Sequence, residues 1–100
     1  MWYYTTVTVR QDLECQTPVG LVPATFTLWL TTRLDDPPPP ERLAAWREKI
    51  VAFAPQLQNS TQAKLLDDFW GAMQILNVAG LYEVGIDDGR DCRIARLEEA

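Results

Sequence analysis

Residues 3–34 read "YYTTVTVRQDLECQTPVGLVPATFTLWLTTRL", and this stretch decides the fold. The odd positions Tyr3, Thr5, Val7 and Val9 lead, after Gln11, to Leu13 and Cys15; the even positions are Trp2, Tyr4, Thr6, Thr8 and Arg10. From Val22 the phase inverts. Val22, Ala24, Phe26, Leu28, Leu30 and Leu34 make the even positions apolar, and the odd ones are polar apart from Trp29. A period of two in β-branched and aromatic residues is the pattern of a strand with one buried face. Between the two runs, "QTPVG" (residues 16–20) carries Pro18 and Gly20, both turn residues. With Pro18 and Val19 at the turn centre, opposed residue numbers total 37, so Val9 faces Leu28 and Val7 faces Leu30. Turn chemistry and apolar pattern thus specify one register for a long hairpin.

Downstream lie four consecutive prolines, Pro37 to Pro40. Proline has no N–H to give a sheet ladder, so the strand must end by Asp36. Leu43, Trp46, Ile50, Phe53 and Leu57 then recur at spacings of three and four, one face of a helix. Pro39 or Pro40 suits its first turn, where an N–H would lack a partner, and Asp35, Asp36 and Glu41 add the acidic charge a helix start favours. The run therefore reads as a stiff spacer from strand to helix. Pro37 and Pro40 also fit the PxxP pattern of SH3-type ligands, but the linker role accounts for them.

Pro55 should end or bend this helix near Ala54. A second helix is expected from about Thr61 to Leu76 or Asn77, with Asn59, Ser60 or Thr61 as its cap and Gln62 at capping-box spacing from Asn59. Its apolar residues (Leu65, Leu66, Phe69, Trp70, Ala72, Met73, Ile75, Leu76) span more than half the circumference, which predicts burial on two sides or cover by a partner. The final segment, "LYEVGIDDGRDCRIARL" (81–97), reads as a hairpin around Asp87-Asp88-Gly89. In that register Val84 faces Cys92, Tyr82 faces Ile94 and Glu83 faces Arg93. The order ββααββ predicts one α+β domain over residues 1–100. Its expected form is a two-layer sandwich, an antiparallel sheet from two hairpins with both helices on one face. Whether the hairpins share one sheet is left open by the pattern.

The chain has 100 residues, 47% hydrophobic and 23% charged, with a formal net charge of −5; this is globular composition rather than that of disorder. Acidity argues against direct nucleic-acid binding, which draws on Lys and Arg to neutralise phosphates. No apolar run reaches the roughly 18 residues of a membrane span. The N-terminal residues lack the basic and apolar blocks of a signal peptide. Cys15 and Cys92 have no zinc or CxxC spacing, and both fall on expected inward positions. Buried free thiols in a reduced cytoplasm are the expectation.

Little in the sequence points to chemistry. Histidine is absent, so Ser-His and Cys-His nucleophile pairs do not arise. Asp35/Asp36, Asp67/Asp68 and Asp87/Asp88 each fit a local role, at a helix approach, an early helical turn and a hairpin turn. Adjacent aspartates point apart and do not share a proton, and "DDGRD" lacks the alternating ligands of a calcium loop. Neither a catalytic residue, a metal nor a cofactor is expected.

The informative surface is the other face of the first hairpin. Trp2, Tyr4, Thr6, Thr8 and Arg10 lie beside Thr25, Thr27, Trp29, Thr31 and Arg33, with Trp29 opposite Thr8 and Tyr4 opposite Arg33 in cation–π range. Threonines with spaced aromatics and arginines resemble interface hot spots. The same residues are also good strand formers, which is the plainer explanation. The expectation is a small, acidic, non-catalytic protein-binding module of the cytoplasm, with Trp2, Tyr4, Trp29 and Arg33 as its surface. Its size and charge suit an inhibitor, immunity protein or antagonist of bacterial or phage origin, acting as a monomer or homodimer. The alternatives are a small enzyme or ligand carrier with a pocket between sheet and helices, or a self-assembling structural subunit.

One prediction follows from the absence of ligand sets and cysteine pairs. Chelator and reductant should each leave the thermal midpoint unchanged. A drop of more than several degrees with either would correspond to roughly 1 kcal/mol and contradict the reading.

Overall fold

In the computed structural model, which describes residues 1–58 and 64–97, the first hairpin forms as its sequence specifies. β1 spans Tyr3–Thr17 and β2 spans Gly20–Leu34. Every opposed pair, from Tyr3 with Leu34 to Thr17 with Gly20, follows the register set by the Pro18-Val19 turn. Gly20 sits at φ +111°, a conformation that side chains rarely adopt. Thr17 closes the turn by donating its hydroxyl to the Gly20 carbonyl at 2.8 Å. Strands of 15 residues each should extend about 50 Å at roughly 3.3 Å per residue, and the long axis of the molecule is 50 Å.

The tetraproline acts as a junction. Pro39 holds an extended conformation (φ −68°, ψ 157°), and helix α1 (Pro40–Phe53) begins at Pro40. The Pro39 carbonyl accepts from the N–H groups of Arg42 and Leu43, so the first helical hydrogen bonds start at the third of the four prolines. Trp46, Ile50, Phe53 and Leu57 are buried on the expected face, with Leu43 half-buried at its edge. At Pro55 the α-helix gives way to a 3-10 turn over Ala54–Gln58, as a residue without an N–H requires.

Helix α2 covers Leu65–Ile75, a shorter span than expected. The predicted caps at Asn59, Ser60 and Thr61, and the Asn59/Gln62 pair, lie outside the described residues. Its C-terminus is closed by a motif the sequence pattern did not reveal. Asn77 takes φ +55°, its N–H donates to Gln74 O, and the Val78 N–H reaches Met73 O at 3.5 Å. This is the Schellman arrangement, sealed by the buried pair Met73 and Val78. Burial on two sides does not hold. Leu65, Phe69 and Met73 form one buried stripe, whereas Ile75 is 85% exposed. Among the described residues α1 and the sheet flank the helix, and part of its wide apolar band is exposed.

β3 (Leu81–Asp87) and β4 (Cys92–Arg96) complete one four-stranded antiparallel sheet of order β1-β2-β3-β4. The two hairpins are therefore joined, through β2 and β3. The predicted register of the second hairpin is corrected. Glu83 opposes Arg96, Val84 opposes Ala95, Gly85 opposes Ile94 and Asp87 opposes Cys92. The turn occupies residues 88–91 rather than centring on Asp87-Asp88-Gly89. Asp88 Oδ1 accepts the N–H groups of Arg90 and Asp91, and Asp87 Oδ1 accepts that of Gly89. These side-chain contacts hold a wider turn. A shift of odd length exchanges the two faces of a strand. Ala95 therefore meets the core, while Ile94 is 43% exposed and Cys92 is exposed instead of inward.

The core joins Val7, Val9, Phe26, Leu28, Leu30, Val84 and Ile86 from the sheet to Trp46, Ile50, Phe53, Phe69 and Met73 from the helices, with Phe53 and Phe69 stacked at 4.9 Å. Thr32 sits within this core fully buried, and its hydroxyl makes no hydrogen bond among the described residues. An unpaired buried hydroxyl is costly. Thr32→Val should therefore raise stability by about 1 kcal/mol, measured by urea unfolding. Leu28→Ala should lower it by about 2–5 kcal/mol. Alanine at Pro37 or Pro38 should cost about 0.4–1 kcal/mol by freeing the unfolded chain.

Candidate binding face

Side chains on the sheet face opposite the core come from alternate positions of all four strands, and Trp29 is the largest at its centre. Its register partners are Thr8 on β1 and Gly85 on β3. The indole lies directly on Gly85. A Cβ built there would overlap the ring atoms Cζ2 and Cε2, so no other residue fits without displacing the tryptophan. The indole N–H donates to Glu83 Oε2 at 2.9 Å, and Glu83 Oε1 accepts from Arg96 Nε at 2.6 Å. One carboxylate thereby fixes the aromatic ring on one side and a β4 arginine on the other. Trp29 is half-buried as a result.

Burial by itself would raise the Glu83 pKa. The hydrogen bonds from Arg96 and Trp29, together with the Arg96 charge, outweigh it and leave the carboxyl below its ordinary value of 4.5. Asp88 is also held low, chiefly by the backbone N–H groups of Arg90 and Asp91.

A second cluster lies toward the N-terminal end of β1. The Arg33 guanidinium stacks 4.7 Å from the Trp2 ring and 5.3 Å from the Tyr82 ring. Tyr4 meets Tyr82 edge to face with centroids 5.4 Å apart. Tyr4 does oppose Arg33 in the ladder, but the cation–π partners of the arginine are Trp2 and Tyr82. Tyr82 was expected on the core side. The β2–β3 pairing slips between Thr31, opposite Glu83, and Thr32, opposite Leu81, leaving Tyr82 as the extra residue of a bulge beside Arg33. Trp2 and Tyr4 remain 54% and 57% exposed. Thr6 and Thr31 share a hydroxyl–hydroxyl bond of 2.8 Å, and Thr25 donates to Asp12 at 2.7 Å.

All four sequence-derived residues thus share one face, but they divide between two settings. Trp2, Tyr4 and Arg33 gather at a corner with Tyr82; Trp29 belongs to the Gly85–Glu83–Arg96 group. Sequence reasoning missed Tyr82 and Gly85 as members of this face; it set Glu83 on the outward side of its hairpin, but opposite Arg93 instead of Arg96. Gly85 carried a readable signal, because glycine inside a strand marks a place where something approaches the backbone closely.

Elsewhere, hollows lie between α1 and α2 (Lys49, Phe53, Ala72, Ile75, Leu76) and at the β3–β4 turn (Phe26, Ile86, Asp91, Arg93). Among the described residues no three His, Cys, Asp or Glu side chains converge as metal ligands, and no helix is long and apolar enough to cross a membrane. Neither protein-family models, curated proteins nor solved structures give a match to this chain.

Gly85→Ala should destabilise the fold by about 1–3 kcal/mol, the range for overpacking a close contact, measured by urea unfolding with Trp fluorescence. The lowered Glu83 pKa also sets a pH dependence. Its contribution to stability should be full above the ordinary glutamate value and fade as pH falls through the lower folded value. Glu83→Gln should flatten that part of the acid limb; an unchanged limb would show that Glu83 does not contribute to it.

Proposed function

We propose that this chain is a small, non-catalytic protein-binding module that acts by covering a surface on another protein. In this reading the chain is one domain, a two-layer sandwich whose helices back the sheet and leave the opposite face for the partner. The observation that supports it is the Trp2/Tyr4/Arg33/Tyr82 corner, where aromatic rings more than half exposed at Trp2 and Tyr4 are already held by stacking and edge contacts. Trp, Tyr and Arg dominate interface energetics. Rings positioned before binding lose less freedom on association. Trp29, half-buried at the centre, serves this reading as the anchor that keeps the face in shape.

The chemistry of the face suits recognition more than reaction. The Glu83 carboxylate at its centre is occupied by two donors, and the chain has no histidine. A net charge of −5 favours partners with basic surroundings. We read the module as an inhibitor, immunity or antagonist protein of a bacterial or phage cytoplasm.

Capture from native lysate identifies the partner, and calorimetry on the purified pair tests the site. Trp2→Ala and Tyr4→Ala should each weaken binding by about 2 kcal/mol, roughly thirtyfold, with thermal unfolding little changed. A partner bound equally well by both variants would move the site off this face.

A further inference from the structure

The outer edge of β1 carries an inference independent of the face described above. β1 stands at the edge of the sheet and, among the described residues, pairs only with β2. It is 15 residues long, contains no proline or lysine, and follows β2 without a bulge. Natural edge strands are normally protected by such devices. The opposite edge, β4, is only five residues long. We propose that two copies of this chain pair antiparallel through β1, forming one continuous eight-stranded sheet about a two-fold axis at Gln11.

Symmetry and charge select this register. A two-fold axis normal to the sheet keeps both sets of helices on one side and makes the opposed residue numbers total an even value. Arg10, Asp12 and Glu14 are the charged residues of β1. An axis at Arg10, Asp12 or Glu14 sets each against its own copy, and one at Leu13 opposes Asp12 to Glu14. An axis at Val9 leaves Arg10 facing Thr8. Only the axis at Gln11 places Arg10 opposite the other chain's Asp12 without opposing like charges. The same register sets Val9 against Leu13 and Val7 against Cys15 on the helix side.

That alignment also covers surface that one chain leaves half-exposed. β3 reaches only Thr27 to Thr32 of β2, so the hairpin tip projects beyond it. Leu13 and Cys15 there are only partly buried, although Val7 and Val9 on the same face are buried. In the pair, Cys15 of one copy comes alongside Val7 of the other, next to the hollow lined by Thr6, Val7, Thr8, Leu43, Ala44 and Arg47. The tip of each hairpin is thereby covered by α1 of its neighbour. The interface is isologous and stops at two chains.

Sedimentation velocity and a charge swap test the proposal. The wild-type chain should sediment as a dimer. Arg10→Asp and Asp12→Arg should each raise the dimer dissociation constant by roughly tenfold or more, and the double variant R10D/D12R should restore pairing. In a Cys15→Ser, Cys92→Ser background, Gln11→Cys should cross-link to its own copy under mild oxidation, whereas Thr5→Cys should not. A wild-type monomer at all attainable concentrations, an open-ended polymer, failure of the double swap to restore pairing, or equal cross-linking at Thr5 and Gln11 would overturn it.

Discussion

The contact between the Trp29 indole and Gly85 is the interaction on which the joined sheet depends. β2 and β3 are far apart in sequence, and both helices intervene between them. Their ladder is short, from Thr27 to Thr32. Within it one aromatic ring covers a residue without a side chain, and its N–H ends on a carboxylate of the same strand. A flat ring on a glycine restores the cross-strand packing that a glycine in a strand otherwise forfeits. A different slip of β3 would set a Cβ under the indole and move Glu83 out of its reach.

Consequences spread from that contact to both edges of the face. Glu83, fixed by Trp29, receives Arg96 and so sets the position of β4. One step beyond, the ladder bulges at Tyr82. The displaced ring meets Tyr4 and Arg33, and Arg33 in turn holds Trp2. The corner proposed to meet a partner is thus built by three strands. The Trp2–Arg33 stack belongs to the first hairpin, and Tyr82 of β3 ties it to Tyr4.

The parts legible in the sequence were those where two independent signals agreed. The first hairpin combined a turn with inverted apolar phases, and its register holds at every pair. The proline run and the 3.6 period together placed α1. The second hairpin offered signals that agreed on the wrong answer. Arg93 and Arg96 are three residues apart, so Glu83 finds a basic partner in either register. Cys92 and Ile94 imitate an inward face, although Ala95 takes that role. What settles the register is the Asp88 carboxylate binding two backbone N–H groups in a wider turn, and composition does not show that. Tyr82 was misplaced for the same reason, because a bulge depends on the neighbouring strand. The two-sided burial expected of α2 failed because apolar content states what a helix is able to bury. What it does bury is set by its neighbours, and Ile75 is left 85% exposed.

The most direct test of this account is a proton NMR measurement on Gly85. A glycine beneath an indole lies in the shielding region of the ring current. Its α-protons should be shifted strongly upfield and show nuclear Overhauser contacts to the Trp29 ring, both lost in Trp29→Leu. Gly85 α-protons at ordinary glycine shifts, without contacts to Trp29, would contradict the close approach, and with it the register that unites the two hairpins.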